Sequence, residues 1–263
     1  MTLAFIFIFG LIIGSFLNAV IYRLKSGESF LFTRSHCPSC KHELAAQDLV
    51  PLFSFLLLRG RCRYCSKKIS WQYPLIELST AVSFILLALN LESGIWNLEF
   101  YYLLTVICFL IVIAVFDYKH YLILDKVVFP ALGLAIIWNI YQDLAAHSLF
   151  TTRSHFIAGI LGALLVSGFF GLQYFVSQGR WIGFGDVKLG LFLGSLFGLK
   201  ISIVMLVIAY FVGALVGVGL VLLNRKTFAS KLPFGVFLSF SAIIMLLYGY
   251  QITDWYFKLI GLT

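Results

Sequence analysis

Eight apolar segments, at about 2–22, 74–91, 98–116, 127–141, 156–177, 187–199, 201–223 and 234–251, decide what this chain can become. A helix of about 20 apolar residues crosses a hydrocarbon layer, and several of the segments reach that length. A buried core cannot account for them, because a core needs a polar shell and only 11% of the residues are charged, against about 25% in a soluble domain. Mean hydropathy is +1.00. The bilayer is therefore the solvent for most of the chain. In lipid the backbone must satisfy its own hydrogen bonds, which predicts an all-α polytopic membrane protein of about eight transmembrane helices. The fourth and sixth segments are short for full spans. No internal repeat is evident.

The first segment runs from Thr2 to Tyr22 without a charge and meets Arg23 and Lys25 only at its far end. A cleavable signal carries its positive charge before a short apolar stretch, so this reads as a first transmembrane helix with its N-terminus outside. That orientation places residues 23–73 inside. All of the 19 basic residues except Arg153, Lys200 and Lys258 then fall on the inner face, as the positive-inside rule requires. The formal charge of +8 is a topology signal, and nucleic acid is not an expected partner. The chain divides into a first helix (1–22), a cysteine-rich cytoplasmic loop domain (23–73) and a transmembrane core (74–263).

The loop contains Cys37-Pro-Ser-Cys40 and, 21 residues later, Cys62-Arg-Tyr-Cys65. Two such turns can aim four sulfurs at one point, and zinc is the default ion for a closed tetrahedral thiolate site. A domain this small needs a staple, so a structural metal on Cys37, Cys40, Cys62 and Cys65 is expected. Neighbouring Arg61, Arg63, Lys67 and Lys68 would favour the thiolates. The competing reading is a pair of disulfides or an empty thiol cluster; a cytoplasmic location disfavours stable disulfides. Cys108, in an apolar run, reads as a core residue.

With only 11 acidic residues, those at the ends of apolar spans stand out, because ionisable groups there are costly. Asp117 closes the third span, Asp125 precedes the fourth, and Gly183-Phe184-Gly185-Asp186-Val187-Lys188 opens the sixth. The topology puts Asp117 and Asp186 on one face. Two carboxylates brought together share a proton: one activates water while the other polarises a carbonyl. Gly183 and Gly185 would let a substrate backbone approach. The plainer alternative makes both residues interfacial helix caps.

Several motifs occur in a fixed order: Gly14-Ser15-Phe16-Leu17-Asn18, the double CxxC loop, Tyr73-Pro74-Leu75-Ile76-Glu77, Phe116-Asp117, the 183–186 motif with Lys188, and Pro233-Phe234-Gly235. In this order and over almost the whole length the chain resembles the type IV prepilin peptidases, bifunctional leader peptidases and N-methyltransferases of bacterial inner membranes with a GxGD aspartyl centre. The resemblance implies that Asp117 and Asp186 are catalytic, supported by Gly183, Gly185 and Lys188. It associates Asn18 and Glu77 with methyl transfer from S-adenosylmethionine. It implies substrates that are prepilins or pseudopilins of type IV pilus, type II secretion or DNA-uptake systems, cut after the glycine that ends a short basic leader.

Two departures stand out. Leu124-Asp125 replaces the family's common Pro-Asp, which leaves Asp125 a secondary-site or gating candidate. Gln47-Asp48-Leu49-Val50-Pro51 replaces an acid–Asn–Ile–Pro run in the region tied to methyl transfer. Any S-adenosylmethionine site here would be unlike a Rossmann site, since no glycine-rich loop follows a strand. Duller roles are available too: Asn18 bonding to backbone, Glu77 pairing with a loop arginine. A transporter, or a non-enzymatic scaffold docking through its cysteine loop, is the alternative class. Against a transporter, the carboxylates sit at one face, whereas transport sites gather near the midplane. The oligomeric state is not readable from the sequence.

Overall fold

The computed structural model describes residues 2–28, 34–91, 94, 97–148, 154–223 and 232–261. Arg153, Arg225, Lys226 and Lys231, part of the sequence-based charge count, lie outside the described residues. The long helices are α1 (Thr2–Ser26), α3 (Gln72–Asn90), α4 (Leu98–His120), α5 (Asp125–Ala145), α6 (His155–Ser177), α7 (Phe184–Leu222) and α8 (Phe234–Leu259); α2 is a single short turn (Phe53–Leu57). Each of the seven long helices is long and apolar enough to cross a membrane. No strand forms among the described residues; two isolated bridges lie in the cysteine loop. The chain divides into two compact units, Met1–Val112 and Ile113–Thr263.

In the first unit α1 packs on α3 backbone to backbone. A Cβ built on Gly10 would lie 2.5 Å from the Ala81 Cα, and one on Gly14 would lie 2.6 Å from the Glu77 Cα. Small residues four apart are what close helix approach in lipid requires. Between these helices the polypeptide forms the cysteine loop, whose apolar run Leu49–Leu58 contains α2. Phe55 is buried there and packs against Trp71, with ring centroids 4.9 Å apart and the rings tilted by 58°.

In the second unit α7 is not one straight helix. Gly198 has φ 66° and ψ −173°, a backbone conformation that L side chains rarely adopt. A built Cβ on Gly171 of α6 meets Val187 at 4.0 Å, and Gln173, two residues on, hydrogen-bonds Tyr210 at 3.1 Å. A straight helix would hold residues 187 and 210 about 35 Å apart. The chain therefore doubles back at Gly198 into two antiparallel helices, α7a (184–197) and α7b (199–222). The eight sequence segments match this arrangement, the sixth and seventh being α7a and α7b. α6 and α7a also touch through backbone: a Cβ on Gly194 would lie 2.2 Å from the Gly162 carbonyl oxygen.

Asp143, which is fully buried, ties the end of α5 to the start of α6. Its carboxylate accepts hydrogen bonds from the Ser154 hydroxyl, from the backbone N–H groups of His155 (2.7 Å) and Phe156 (3.0 Å), and from the Ser148 hydroxyl (3.1 Å). Those N–H groups are the unpaired donors of the first turn of α6. Asp143→Ala is expected to leave them buried and unpaired, at a cost of about 2–3 kcal/mol, read as a lowered midpoint of thermal unfolding in detergent; Asp143→Asn should retain part of the loss.

Candidate active site

Asp117 lies on the last turn of α4 and Asp186 on the first turn of α7a; they are 5% and 8% exposed. The local sequence dictates the second position. The backbone N–H of Asp186 donates to the Gly183 carbonyl at 3.0 Å, and its carboxylate accepts the Gly183 N–H at 3.2 Å. The motif thus closes on itself at the start of the helix. Asp117 faces the start of α8, where the backbone N–H groups of Gly235 and Val236 donate to its carboxylate. Its Oδ2 is buried and, among the described residues, without a hydrogen-bond partner. A Cβ on Gly235 would sit 2.9 Å from that oxygen, so the glycine of the Pro233-Phe234-Gly235 motif makes the room in which the carboxylate stands. The two carboxylates are near enough to interact electrostatically.

Ile123, in the link between α4 and α5, fits between the two motifs. A Cβ on Gly185 would meet the Ile123 Cβ at 2.9 Å, and one on Gly235 would meet its Cδ1 at 3.1 Å. One side chain therefore spaces the backbones that carry or flank both aspartates. Asp125, two residues later, opens α5 and is held by Lys188. The Lys188 ammonium donates to both of its oxygens, at 2.6 and 2.9 Å, and lies 5.2 Å from the Phe184 ring centre. This bridge ties the starts of α5 and α7a. If its role is positional, Asp125→Asn should slow peptide cleavage by no more than about fivefold, as expected for a half-exposed ion pair. The exchanged pair Asp125→Lys with Lys188→Asp should restore the rate. Complete loss in Asp125→Asn would instead assign Asp125 to the chemistry.

In the first unit the two CxxC turns have the same internal bonding. The N–H of Cys37 donates to the His42 carbonyl and that of Cys62 to the Lys67 carbonyl, both at 2.9 Å. Lys41 and Ser66 each take a positive φ at the corresponding place. The loop therefore contains a short structural repeat where none is evident in the sequence. The four Sγ atoms lie within 4.8 Å of one another, Cys37 and Cys65 being 3.9 Å apart. A tetrahedral zinc with Zn–S bonds of about 2.3 Å has sulfurs about 3.8 Å apart, so the four thiols fit such an ion. Cys108 lies apart from them in α4.

Burial opposes ionisation of Cys37, yet the backbone N–H groups of Cys40 and Ser39 and the thiols of Cys40 and Cys62 draw its thiol down to about 7. At Cys65 the Lys67 N–H favours the thiolate, but burial and the shared thiols push it up to about 11. At Cys37 main-chain dipoles and neighbouring sulfurs do the work expected of the basic side chains. Arg63 instead pairs with Asp48 at 2.7 Å, and the Tyr64 hydroxyl donates to the same carboxylate at 3.0 Å. Burial alone would raise the Asp48 carboxyl; these bonds hold it below the usual range.

Asn18 donates to the carbonyls of Tyr73 (3.1 Å) and Gly14 (3.3 Å) and accepts from the Gln72 amide (3.2 Å). Glu77 accepts the Leu52 N–H at 2.9 Å and the Ser15 hydroxyl. Its partners are thus a loop N–H and a hydroxyl, where an arginine was the plain expectation. Gln72 Oε1 is buried without a partner among the described residues; nothing in the sequence singled this residue out.

Comparison with known proteins now adds to this geometry. A model of the bacterial peptidase A24 N-terminal domain matches residues 8–91, and one of the type IV leader peptidase family matches residues 104–218. A prepilin leader peptidase/N-methyltransferase of Bacillus subtilis (strain 168) is 33% identical over 98% of this chain and 98% of its own length. The chain belongs to the type IV leader peptidase family. A protein of the same description from Aeromonas hydrophila is 32% identical, covering 95% of this chain and 92% of that one. Another, from Pseudomonas aeruginosa, is 30% identical, covering 96% and 92%. No solved structure matches the chain. The match to the leader peptidase family includes Asp117, Ile123, Asp125, Asp186 and Lys188, while the match to the N-terminal domain includes Asn18, Glu77 and all four loop cysteines.

Proposed function

We propose that this chain is a membrane aspartyl endopeptidase that removes the leader of prepilins or pseudopilins and then methylates the new N-terminus. The observation that carries the peptidase reading is the buried pair Asp117–Asp186, with Asp117 Oδ2 unpartnered and Gly183, Gly185 and Gly235 leaving the surrounding backbone bare. Two carboxylates in electrostatic contact hold one proton between them. The ionised member takes a proton from water, whose oxygen attacks the scissile carbonyl; the protonated member donates to that carbonyl oxygen. The tetrahedral species collapses when the amine leaves with a proton, and the pair returns to its starting state. No protein nucleophile is required.

The basic distribution supports an orientation in which the N-terminus is outside and the cysteine loop and both aspartates face the cytoplasm of a bacterial inner membrane. The substrate's apolar segment would then remain in the bilayer while its basic leader stays on the aspartate side. The loop 23–73 acts as a metal-stapled module associated with methyl transfer, and residues 74–263 as the peptidase core. Zinc on the four cysteines would be structural, since a closed sulfur shell leaves no open position for chemistry.

S-adenosylmethionine supplies an electrophilic methyl group when bound. The free Gln72 Oε1 beside Asn18, together with the Glu77 carboxylate, is the polar cluster of the first unit suited to hold it. Glu77 also offers an acceptor for the proton that the amine loses on methylation. The test is the product mass after purified protein meets a short-leader prepilin. Loss of the leader at its terminal glycine, followed by a gain of one CH₂ only when S-adenosylmethionine is present, supports both activities. An intact prepilin removes the peptidase reading, and cleavage without mass gain removes the methyl transfer.

A further inference from the structure

We propose that Tyr210 and Gln173 form a polar pair that hydrogen-bonds the extended backbone of the substrate beside the scissile peptide bond. This rests on the peptidase reading and adds two positioning residues to it. The reversal at Gly198 places them. Asp186 lies 12 residues before that glycine and Tyr210 lies 12 residues after it, so at 1.5 Å per residue both stand about 18 Å from the turn, at one depth. The Tyr210 ring packs on Phe234 with centroids 4.8 Å apart. Phe234 immediately precedes Gly235, the residue that abuts Asp117 Oδ2. Tyr210 is thereby joined to both aspartates, through α7 on one side and α8 on the other, and lies within the electrostatic reach of Asp186.

The pair has unused hydrogen-bonding capacity. The Tyr210 hydroxyl is 3.1 Å from Gln173 Nε2 and 3.3 Å from its Oε1. The two N–H bonds of one amide nitrogen diverge, so a single hydroxyl engages only one of them, and the amide keeps an N–H and a carbonyl lone pair to offer. Asn139 makes the contrast. It is 6% exposed and gives its amide to the Ser195 carbonyl at 2.8 Å inside the α5–α7 contact, as a structural polar residue does. Tyr210 is 38% exposed, and Gln173 is half-buried.

Peptide hydrolysis supplies the need for such groups. The scissile bond adjoins the substrate's apolar segment, and while that end is helical its peptide bonds are shielded and its carbonyls already engaged. To reach the aspartates the segment must extend, and each N–H or C=O freed in apolar surroundings is costly unless a partner meets it. A side-chain amide and a phenol offer both a donor and an acceptor, and neither adds a charge near the carboxylates. Phe169, edge-on to Tyr210 at 5.9 Å, and Phe234 supply the apolar walls of the same place.

The test is steady-state cleavage of a prepilin by full-length Tyr210→Phe, Gln173→Leu and the double variant, each checked for unchanged thermal unfolding. Each single variant should raise KM about fivefold, the value of one neutral hydrogen bond, with kcat within about twofold. The double variant should add little, because the two residues act as a unit. A prepilin with an ester in place of an amide next to the scissile bond should lose a similar factor with the parent protein and nothing more with Tyr210→Phe. Unchanged KM in both single variants, while the parent protein cleaves normally, overturns the pairing and leaves the peptidase reading standing. Parent protein that leaves the prepilin intact removes both.

Discussion

Asn in place of Asp117 or of Asp186 is expected to lower prepilin cleavage by about 10²–10⁴-fold, the scale of positioned acid–base catalysis, while leaving the protein folded. The two expectations have separate origins. Chemistry is lost because an amide can neither accept the proton of the attacking water nor donate one to the carbonyl as a carboxylic acid does. Folding is kept because Asn fills the same volume. At position 186 its carbonyl can still accept the Gly183 N–H that closes the start of α7a. At position 117 it can still accept from the start of α8. Each substitution also relieves the repulsion between two buried carboxylates, so thermal unfolding in detergent should not fall. Product mass and unfolding measured together decide the matter. Cleavage above a tenth of the parent rate in either stable variant would exclude that aspartate from the mechanism, and inactivity with collapse of the fold would make it a structural residue.

The spans were legible in the sequence because lipid segregates residues so strongly, but hydropathy trimmed their polar ends. α4 extends to His120, past the 116 boundary, because Asp117 belongs to the helix; α5 extends from Asp125 to Ala145 because its end includes the buried Asp143. The break between 199 and 201 was legible, although one backbone conformation, at Gly198, makes the reversal. The aspartates stood out because charge near an apolar span is rare, and both are buried. What surrounds them was not legible. Ile123 is one apolar residue in a link, and only three-dimensional packing makes it the spacer between Gly185 and Gly235. Nor could the sequence show that Glu77 would hold the N–H of Leu52, a residue at φ 60° that no local pattern marks. The cysteine spacing implied its cluster because each turn closes locally; the partner of Arg63 depended on how the intervening residues fold.

The cysteine cluster is where removal of a bound group should have its largest effect. Structural zinc in small domains contributes about 10–16 kcal/mol of apparent binding free energy, which is also folding free energy. Among the described residues between α1 and α3, the loop buries little besides Phe55 and two of its own cysteines, so no apolar core could replace a metal bound there. Cys62→Ser is therefore expected to reduce the metal content from about one ion per chain to none and to make residues 34–70 sensitive to protease. The consequence should reach α3. Leu52 lies in the loop, and its N–H is held by Glu77; once the loop unravels, that carboxylate loses its partner and the cluster with Asn18 and Gln72 loses its cover. Methyl transfer should then disappear. Asp117, Asp186 and their contacts with Gly183, Ile123 and Gly235 all belong to the second unit, so cleavage of the prepilin should persist. Metal analysis by mass spectrometry, limited proteolysis and product mass read these steps separately. A Cys62→Ser protein that keeps its metal, or one that is metal-free yet protease-resistant and still methylating, would show that the four sulfurs do not hold the loop together.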